Sequence, residues 1–443
     1  MLWVGQISES TAGALKCIEC GKEYPLFEKP LYRCDCSGLL EVHHDLEALK
    51  ETVSLRLFDK RLNECSFPVN SGVWRYKELI LPEVSDKTIV SRLEGNTRLY
   101  PSGRKLAEFV GLKEFFLKHE GENPTGSFKD RGMTTGITAA NALGTRTVAC
   151  ASTGNTSASM ASYAAFAGMQ SMVFVPSGNI SFGKLAQALA YGSKTFEVDG
   201  NFDDAMKLVQ EVCAKLRIYL LNSINPFRIE GQKAIVFELL QQMQWNSPDW
   251  IVLPGGNLGN TSAFGKALME LKALGLIEKI PRLAVIQASG ANPFYSLWKS
   301  GREELKPITP DTIASAIKIG NPVSWKKAFK AVKWSGGTVE EASDEEIMAA
   351  KLEVDAAGIG AEPASCASIA GMKKLVEAGT IDRKEKVACI LTGNLLKDPG
   401  ILVDFHAGKG VKGAERLSGK ANRPEKIPAD INAVEKSLKA YAK

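Results

Sequence analysis

No stretch of this chain reaches the run of about 18 apolar residues that a membrane-spanning helix needs, so no span is expected. No basic run is present either. The net charge is only +5 over 443 residues, and a nucleic-acid partner is not expected. The lysines between Lys409 and Lys443 alternate with Glu415, Glu425, Asp430 and Glu435, the pattern of a solvated face. The opening MLWVGQISES lacks the basic start and long apolar stretch of a secretion signal. Histidine is scarce: of His43, His44, His119 and His406, only His119 lies near a motif, and it reads as a core hydrogen-bonder. Cysteine does not form an extracellular disulfide pattern. Cys65, Cys150, Cys213, Cys366 and Cys389 are scattered singly, several in apolar runs such as TVACAS and VACILT, where a thiol behaves as a small hydrophobe. The expected compartment is the cytoplasm.

What is present is ordinary globular composition, 44% hydrophobic and 24% charged, in a chain long enough for two or more domains. Residues 14–42 stand apart. They carry Cys17, Cys20, Cys34 and Cys36 as C-x2-C, thirteen residues, then C-x-C. Two such knuckles suit one tetrahedral zinc held by four thiolates; the other reading is a metal-free ribbon with reduced cysteines. Residues 46–89 read as a linker with one or two helices. Beyond them apolar runs alternate with helical stretches: strands at 147–152, 171–176, 195–200, 249–256, 282–290 and 386–393, with helices between, one from about Ser181 to Ala190. This alternation predicts an α/β fold with mostly parallel sheets, whose ligands bind at the carboxyl ends of strands. The expected organisation is a cysteine module over 1–45, the linker over 46–89, a core over 90–428 and a tail over 429–443. A small domain, at about 136–225, is inserted in the core.

Five loops carry chemistry. In ENPTGSFKDRGM, a turn at Thr125 and Gly126 leads into a helix from Ser127, and Lys129 projects from its first turn. A lysine near a helix N-terminus is biased toward its neutral, nucleophilic form; alone, it reads first as an ordinary helix lysine in an ion pair with Asp130 or another acid. STGNTSAS offers Ser152, Thr153, Asn155 and Thr156 at a helix start, suited to a carboxylate or to simple capping. PGGNLGN follows a strand and precedes a helix, so Gly255, Gly256, Asn257, Leu258, Gly259 and Asn260 can wrap a phosphate. It lacks the G-K-S/T ending of a P-loop and does not fit G-x-G-x-x-G. NSINPFRIEGQ supplies Asn222, Ser223 and Arg228 for a second phosphate, or a surface Arg228 paired with Glu230. In LTGNLLKDPG, Thr392 can bond a ring nitrogen or its own backbone. One cofactor accounts for all five loops: pyridoxal phosphate with an amino-acid substrate.

Taken together, ENPTGSFKDRG, STGNTSAS, GGNLGN, NSINPFRIEGQ and TGNLLKDP resemble the threonine synthase family, in family order over about residues 90–400. The resemblance implies a fold type II enzyme of the tryptophan synthase β-like superfamily: two three-layer αβα domains behind a small cysteine ribbon. Two positions depart from the family pattern: Arg98 stands where proline is usual and Leu395 where glycine is common. The implied reaction converts O-phospho-L-homoserine and water to L-threonine and phosphate. Lys129 would hold pyridoxal phosphate through its amine and shuttle protons. Asn155 would bond the ring hydroxyl, and Thr392 the ring nitrogen. Residues 255–260 would enclose the cofactor phosphate. Ser152, Thr153 and Thr156 would hold the substrate carboxylate; Asn222, Ser223 and Arg228 would hold its phosphate. The expected partner is this small molecule, with a homodimer as the assembly. The alternatives are cysteate synthase, a serine or threonine dehydratase, and a non-catalytic binding protein on the same fold.

Overall fold

The run WIVLP is apolar without alternation, which fits a strand covered on both faces. The computed structural model describes residues 13–178 and 182–441; MLWVGQISES and Ser181 lie outside them. Three sheets form. The first is a small antiparallel sheet of β1 (Ala14–Cys17), β2 (Glu23–Pro25) and β3 (Leu40–His43). In chain order there follow β4 (Leu99–Pro101), β5 (Phe116–His119), β6 (Thr147–Ala151), β7 (Gln170–Pro176), β8 (Lys194–Val198) and β9 (Tyr219–Leu220). The last four are β10 (Trp250–Pro254), β11 (Arg282–Ala288), β12 (Thr338–Ala342) and β13 (Val387–Leu391).

The large sheet has the order β12-β11-β10-β13-β5-β4 and is parallel except for β4. The smaller sheet, β8-β7-β6-β9, is parallel throughout. Successive side chains on a strand point to opposite faces. Ile251 and Leu253 of β10 therefore join one buried cluster with helix Gly259–Ala273, while Trp250 and Val252 join another with helix Pro363–Glu377. β11 and β13 divide in the same way: Val285 and Ile390 on one face, Ile286 and Cys389 on the other. In the smaller sheet Cys150 and Val173 face one cluster, Ala149 and Phe174 the other. The large sheet and the smaller parallel sheet are thus each the middle layer of an αβα stack, as the α/β reading expects.

Residues 46–89 do more than connect. They hold helices Leu46–Lys50, Leu55–Arg61 and Lys77–Ile80, and bury Trp74, Tyr76, Leu79 and Ile80. Trp74 donates to Thr134 Oγ1 at 2.8 Å, and the Tyr76 ring meets Phe237 at 5.4 Å. These helices are too short to show a clear 3.6-residue period, which is why the segment reads as a linker. The small-domain boundary expected near 136 falls inside helix Lys129–Ala142, which is buried on nearly every side and packs against helix Pro226–Gln242.

A buried charge network fixes that packing. Arg131 Nε meets Glu120 Oε2 at 2.6 Å and its Nη2 meets Glu238 Oε1 at 2.8 Å, while Lys118 Nζ also reaches Glu238 at 2.5 Å. Two cations balance two carboxylates, all out of water. Removing one partner strands the others, which costs about 3–5 kcal/mol. Arg131→Met is expected to lose that much stability in urea titrations; a loss below about 1 kcal/mol would contradict the network's role.

Candidate active site

The end of β13 and the loop before helix Lys129–Ala142 lie side by side. Phe128 N donates to Thr392 O at 3.0 Å and Asn394 N to Gly126 O at 2.9 Å. Gly126 takes φ +86°, a conformation that glycine adopts without strain. Lys129 begins the helix, two residues later than expected. Asp130 does not pair with it. Its carboxylate receives Thr125 N at 2.7 Å, Thr125 Oγ1 at 2.6 Å and Ser159 Oγ at 2.5 Å. Among the described residues the Lys129 amine makes no hydrogen bond or close ion pair; it sits 4.1 Å from the Phe128 ring centre and faces a cavity. Burial, and then the nearby Arg228 guanidinium, lower its pKa to about 7.

Across the cavity, β10 ends in Pro254 and the chain turns through Gly255–Leu258 into helix Gly259–Ala273. No side chain caps that helix, so its first N–H groups are open to an anion. The glycines are needed for close approach. A Cβ on Gly255 would lie 2.7 Å from Val285 Cγ1, and one on Gly256 would lie 3.3 Å from Ile317 Cα. Gly256, Asn257, Leu258, Gly259 and Asn260 line the cavity. Thr261 Oγ1 and Ser324 Oγ are buried nearby in sequence or contact, without hydrogen-bond partners.

The third wall is Asn155 and Thr392. Both reach Glu362, which the sequence reading did not single out. Asn155 Nδ2 donates to Glu362 Oε2 at 3.0 Å and Thr392 Oγ1 to Glu362 Oε1 at 3.1 Å. Glu362 is buried, and burial raises its pKa despite these two donors. Glu362 is the N-cap residue before Pro363, where a glutamate reads as an ordinary acid at a helix start. Its neighbours in space are 207 and 30 residues away in sequence.

Arg228 and Ser223 line the fourth side. Arg228 is buried rather than on the surface. Its Nη1 donates to Leu221 O at 3.1 Å, and its Nε has no partner among the described residues. Glu230 is instead engaged by Lys233 at 2.5 Å, by His44 at 3.0 Å and by Lys266. Asn222 does not line the cavity. Its amide closes a two-way bond with the Ala151 backbone, 3.0 Å in each direction, and so ties the turn to the end of β6. Ser152, Thr153 and Thr156 lie at the start of helix Asn155–Phe166, beside rather than on the lining. His119 is buried with Nε2 2.9 Å from Gly360 O. In the N-terminal sheet region, Cys17, Cys20, Cys34 and Cys36 gather with all four sulfurs within 4.8 Å of one another.

These residues fit pyridoxal phosphate. An amine with a lowered pKa, an uncapped helix N-terminus and two side-chain donors on one carboxylate face a single cavity. An aldehyde, a phosphate and a polar ring require those groups.

Known proteins point the same way. The family described as pyridoxal-phosphate dependent enzyme matches residues 90–393. Threonine synthase of Methanocaldococcus jannaschii is 46% identical over 96% of this chain and 99% of its own length. Threonine synthase of Methanosarcina acetivorans is 46% identical over 97% of this chain and 99% of its own. The crystal structure of threonine synthase from Escherichia coli superposes with a TM-score of 0.68 over 97% of this chain and all of that one, at 19% identity, a likeness of fold.

Proposed function

We infer the chemistry of this chain from one premise: it belongs to the pyridoxal-phosphate dependent enzymes and, among them, to the threonine synthases. Its reaction is conversion of O-phospho-L-homoserine and water to L-threonine and phosphate. The observation that carries the assignment of roles is that Lys129, the uncapped helix at Gly259 and Arg228 all border one cavity.

Bound pyridoxal phosphate supplies a conjugated sink for the electrons left when a proton departs beside the amino group. The side chains do the rest. Lys129, with its pKa at about 7, is substantially neutral at pH 7, so Nζ can take the proton from the substrate Cα and give it back later. Residues 255–260 would hold the cofactor phosphate at the helix N-terminus. Asn155 would orient the ring hydroxyl. Thr392 would place its hydroxyl at the ring nitrogen, a group that does not enforce protonation there as a carboxylate would. Glu362 holds Asn155 and Thr392 in place. The backbone and hydroxyls of Ser152, Thr153 and Thr156 receive the substrate carboxylate at the helix start. Arg228 and Ser223 receive its phosphate, and Asn222 shapes their turn through Ala151.

Only Lys129, Arg228 and Glu362 among the lining residues titrate. Arg228 stays charged and both Glu362 oxygens are engaged by Asn155 and Thr392, so proton transfer beyond Cα falls to Lys129 and to the departing phosphate itself. A dehydratase acting on serine or threonine has no phosphate to place against Arg228. The deciding assay supplies O-phospho-L-homoserine and quantifies both products. Equal yields of threonine and phosphate are expected; cysteate from phosphoserine and sulfite, without threonine, would overturn the substrate assignment.

Glu362→Ala removes the acceptor for both ring-contacting side chains. Its affinity for pyridoxal phosphate is expected to fall by about tenfold or more, with a smaller loss for Glu362→Gln, measured by absorbance titration. Unchanged affinity in both variants would remove Glu362 from the site.

No helix among the described residues is long and apolar enough to cross a membrane. We place the chain in the cytoplasm, which suits nine free cysteines. The assembly is a homodimer, the commonest symmetric state, and sedimentation would test it.

A further inference from the structure

The cysteine ribbon lies outside the cavity, yet it grips the turn that carries Arg228. Its two knuckles are tight. Gly21 N returns to Cys17 O at 3.1 Å with φ +74° at Gly21, and Ser37 N returns to Cys34 O at 2.8 Å with φ +67° at Ser37. The turns face each other and bring Cys17 to 3.5 Å from Cys36, Cys20 to 3.5 Å from Cys34, and Cys20 to 3.5 Å from Cys36. All four are free thiols. Four thiolates around zinc at about 2.3 Å have sulfur–sulfur edges of about 3.8 Å, so the cluster is close to that tetrahedron before any ion enters. Glu19 N also points at Cys17 Sγ, 3.4 Å away, a donor that suits a thiolate. A Cβ on Gly38 would lie 2.6 Å from Cys17 Sγ, so this close approach needs glycine.

The segment between the knuckles reaches the core. Phe27 stacks on Phe227 with ring centres 5.5 Å apart at 17°. Tyr32 meets the Tyr219 ring edge at 5.8 Å, and its hydroxyl accepts Leu220 N at 2.7 Å. Phe227 adjoins Arg228, and Leu221, whose carbonyl holds Arg228, adjoins Leu220. The segment therefore contacts the Arg228 turn at both ends.

We propose that Cys17, Cys20, Cys34 and Cys36 bind one zinc ion, and that the ion stiffens the Phe27–Tyr32 segment so that it braces the Leu220–Arg228 turn. Binding releases four thiol protons and changes no oxidation state. The bracing half rests on the reading of Arg228 as the substrate-phosphate residue; the metal half does not.

Elemental analysis of the purified full chain is expected to find about one zinc per chain. Thiol titration should count nine reactive cysteines in denaturant with chelator, and four of them should become reactive on chelation in the native state. Absence of zinc, or a deficit of two or four thiols from disulfides, would overturn the site without touching the proposed reaction. Cys20→Ser with Cys36→Ser is expected to lose the zinc, keep pyridoxal phosphate uptake, and raise KM for O-phospho-L-homoserine about fivefold to tenfold with kcat within twofold. Should that variant not fold, Tyr32→Phe serves. It keeps the zinc and drops the Leu220 N acceptor, and one lost buried hydrogen bond is worth a similar factor. Zinc loss or Tyr32→Phe with unchanged KM would overturn the brace and leave the metal site standing.

Discussion

Lys129→Ala is expected to lose threonine formation by at least about a thousandfold, because positioned proton transfer alone contributes about 10²–10⁴ and covalent tethering is lost with it. The fold should survive. Lys129 makes no hydrogen bond among the described residues, whereas the neighbouring Asp130 and Arg131 are tied into the core. A small primary amine added to the variant should restore part of the rate by entering the vacated space. The wild-type amine carries a pH signature as well. Burial and Arg228 disfavour its charged form, so the neutral form dominates above about pH 7 and is lost below it. The rate at which cofactor-free protein takes up pyridoxal phosphate should rise with pH through about 7 and then level. A profile rising only near pH 10 would mean that the amine is solvated and the site is drawn wrongly. Full activity in Lys129→Ala would end the cofactor reading at its centre.

The second large effect is at Arg228. A guanidinium that meets a phosphate makes charge-assisted bonds, commonly bidentate, each worth about 1.5–3 kcal/mol. Arg228→Leu keeps the apolar stem and removes the fork. Its kcat/KM for O-phospho-L-homoserine should fall by about a hundredfold, most of it in KM, since the phosphate is bound in the ground state before it leaves. Any slow side reaction with L-serine should change by less than about threefold, because serine has nothing to offer the fork. Equal losses on both substrates would show that Arg228 only shapes the Leu221 turn through its 3.1 Å bond. Burial already lowers the Arg228 pKa to about 10, which marks a cation held out of water without a carboxylate partner.

Much of this was readable because its causes are local. An uncapped helix after a glycine turn, a lysine after Thr-Gly and an unbroken apolar strand each follow from the conformational range of a few adjacent residues. That is how the glycine loop and the lysine loop could be picked out as candidates, and the cavity lining includes Lys129 and Gly256 to Asn260. Residues 46–89 read as a linker because short helices carry no period; their packing on helix Pro226–Gln242 comes from contacts distant in sequence.

By itself the sequence determined the α/β class, the order of the glycine and lysine loops and the grouping of four cysteines on two turns. Tertiary structure alone decided which charges are free and which are already used. Lys129 is left without a partner because Thr125 and Ser159 occupy Asp130. Arg228 faces the cavity because Lys233 and His44 hold Glu230. Asn222 serves Ala151, and Glu362 gathers Asn155 and Thr392 across 207 and 30 residues of chain. The physical reason is the same each time: whether an ionisable group is spent in a pair or kept available depends on which opposite charge or donor lies within about 3 Å and out of water. Packing of distant segments sets that distance.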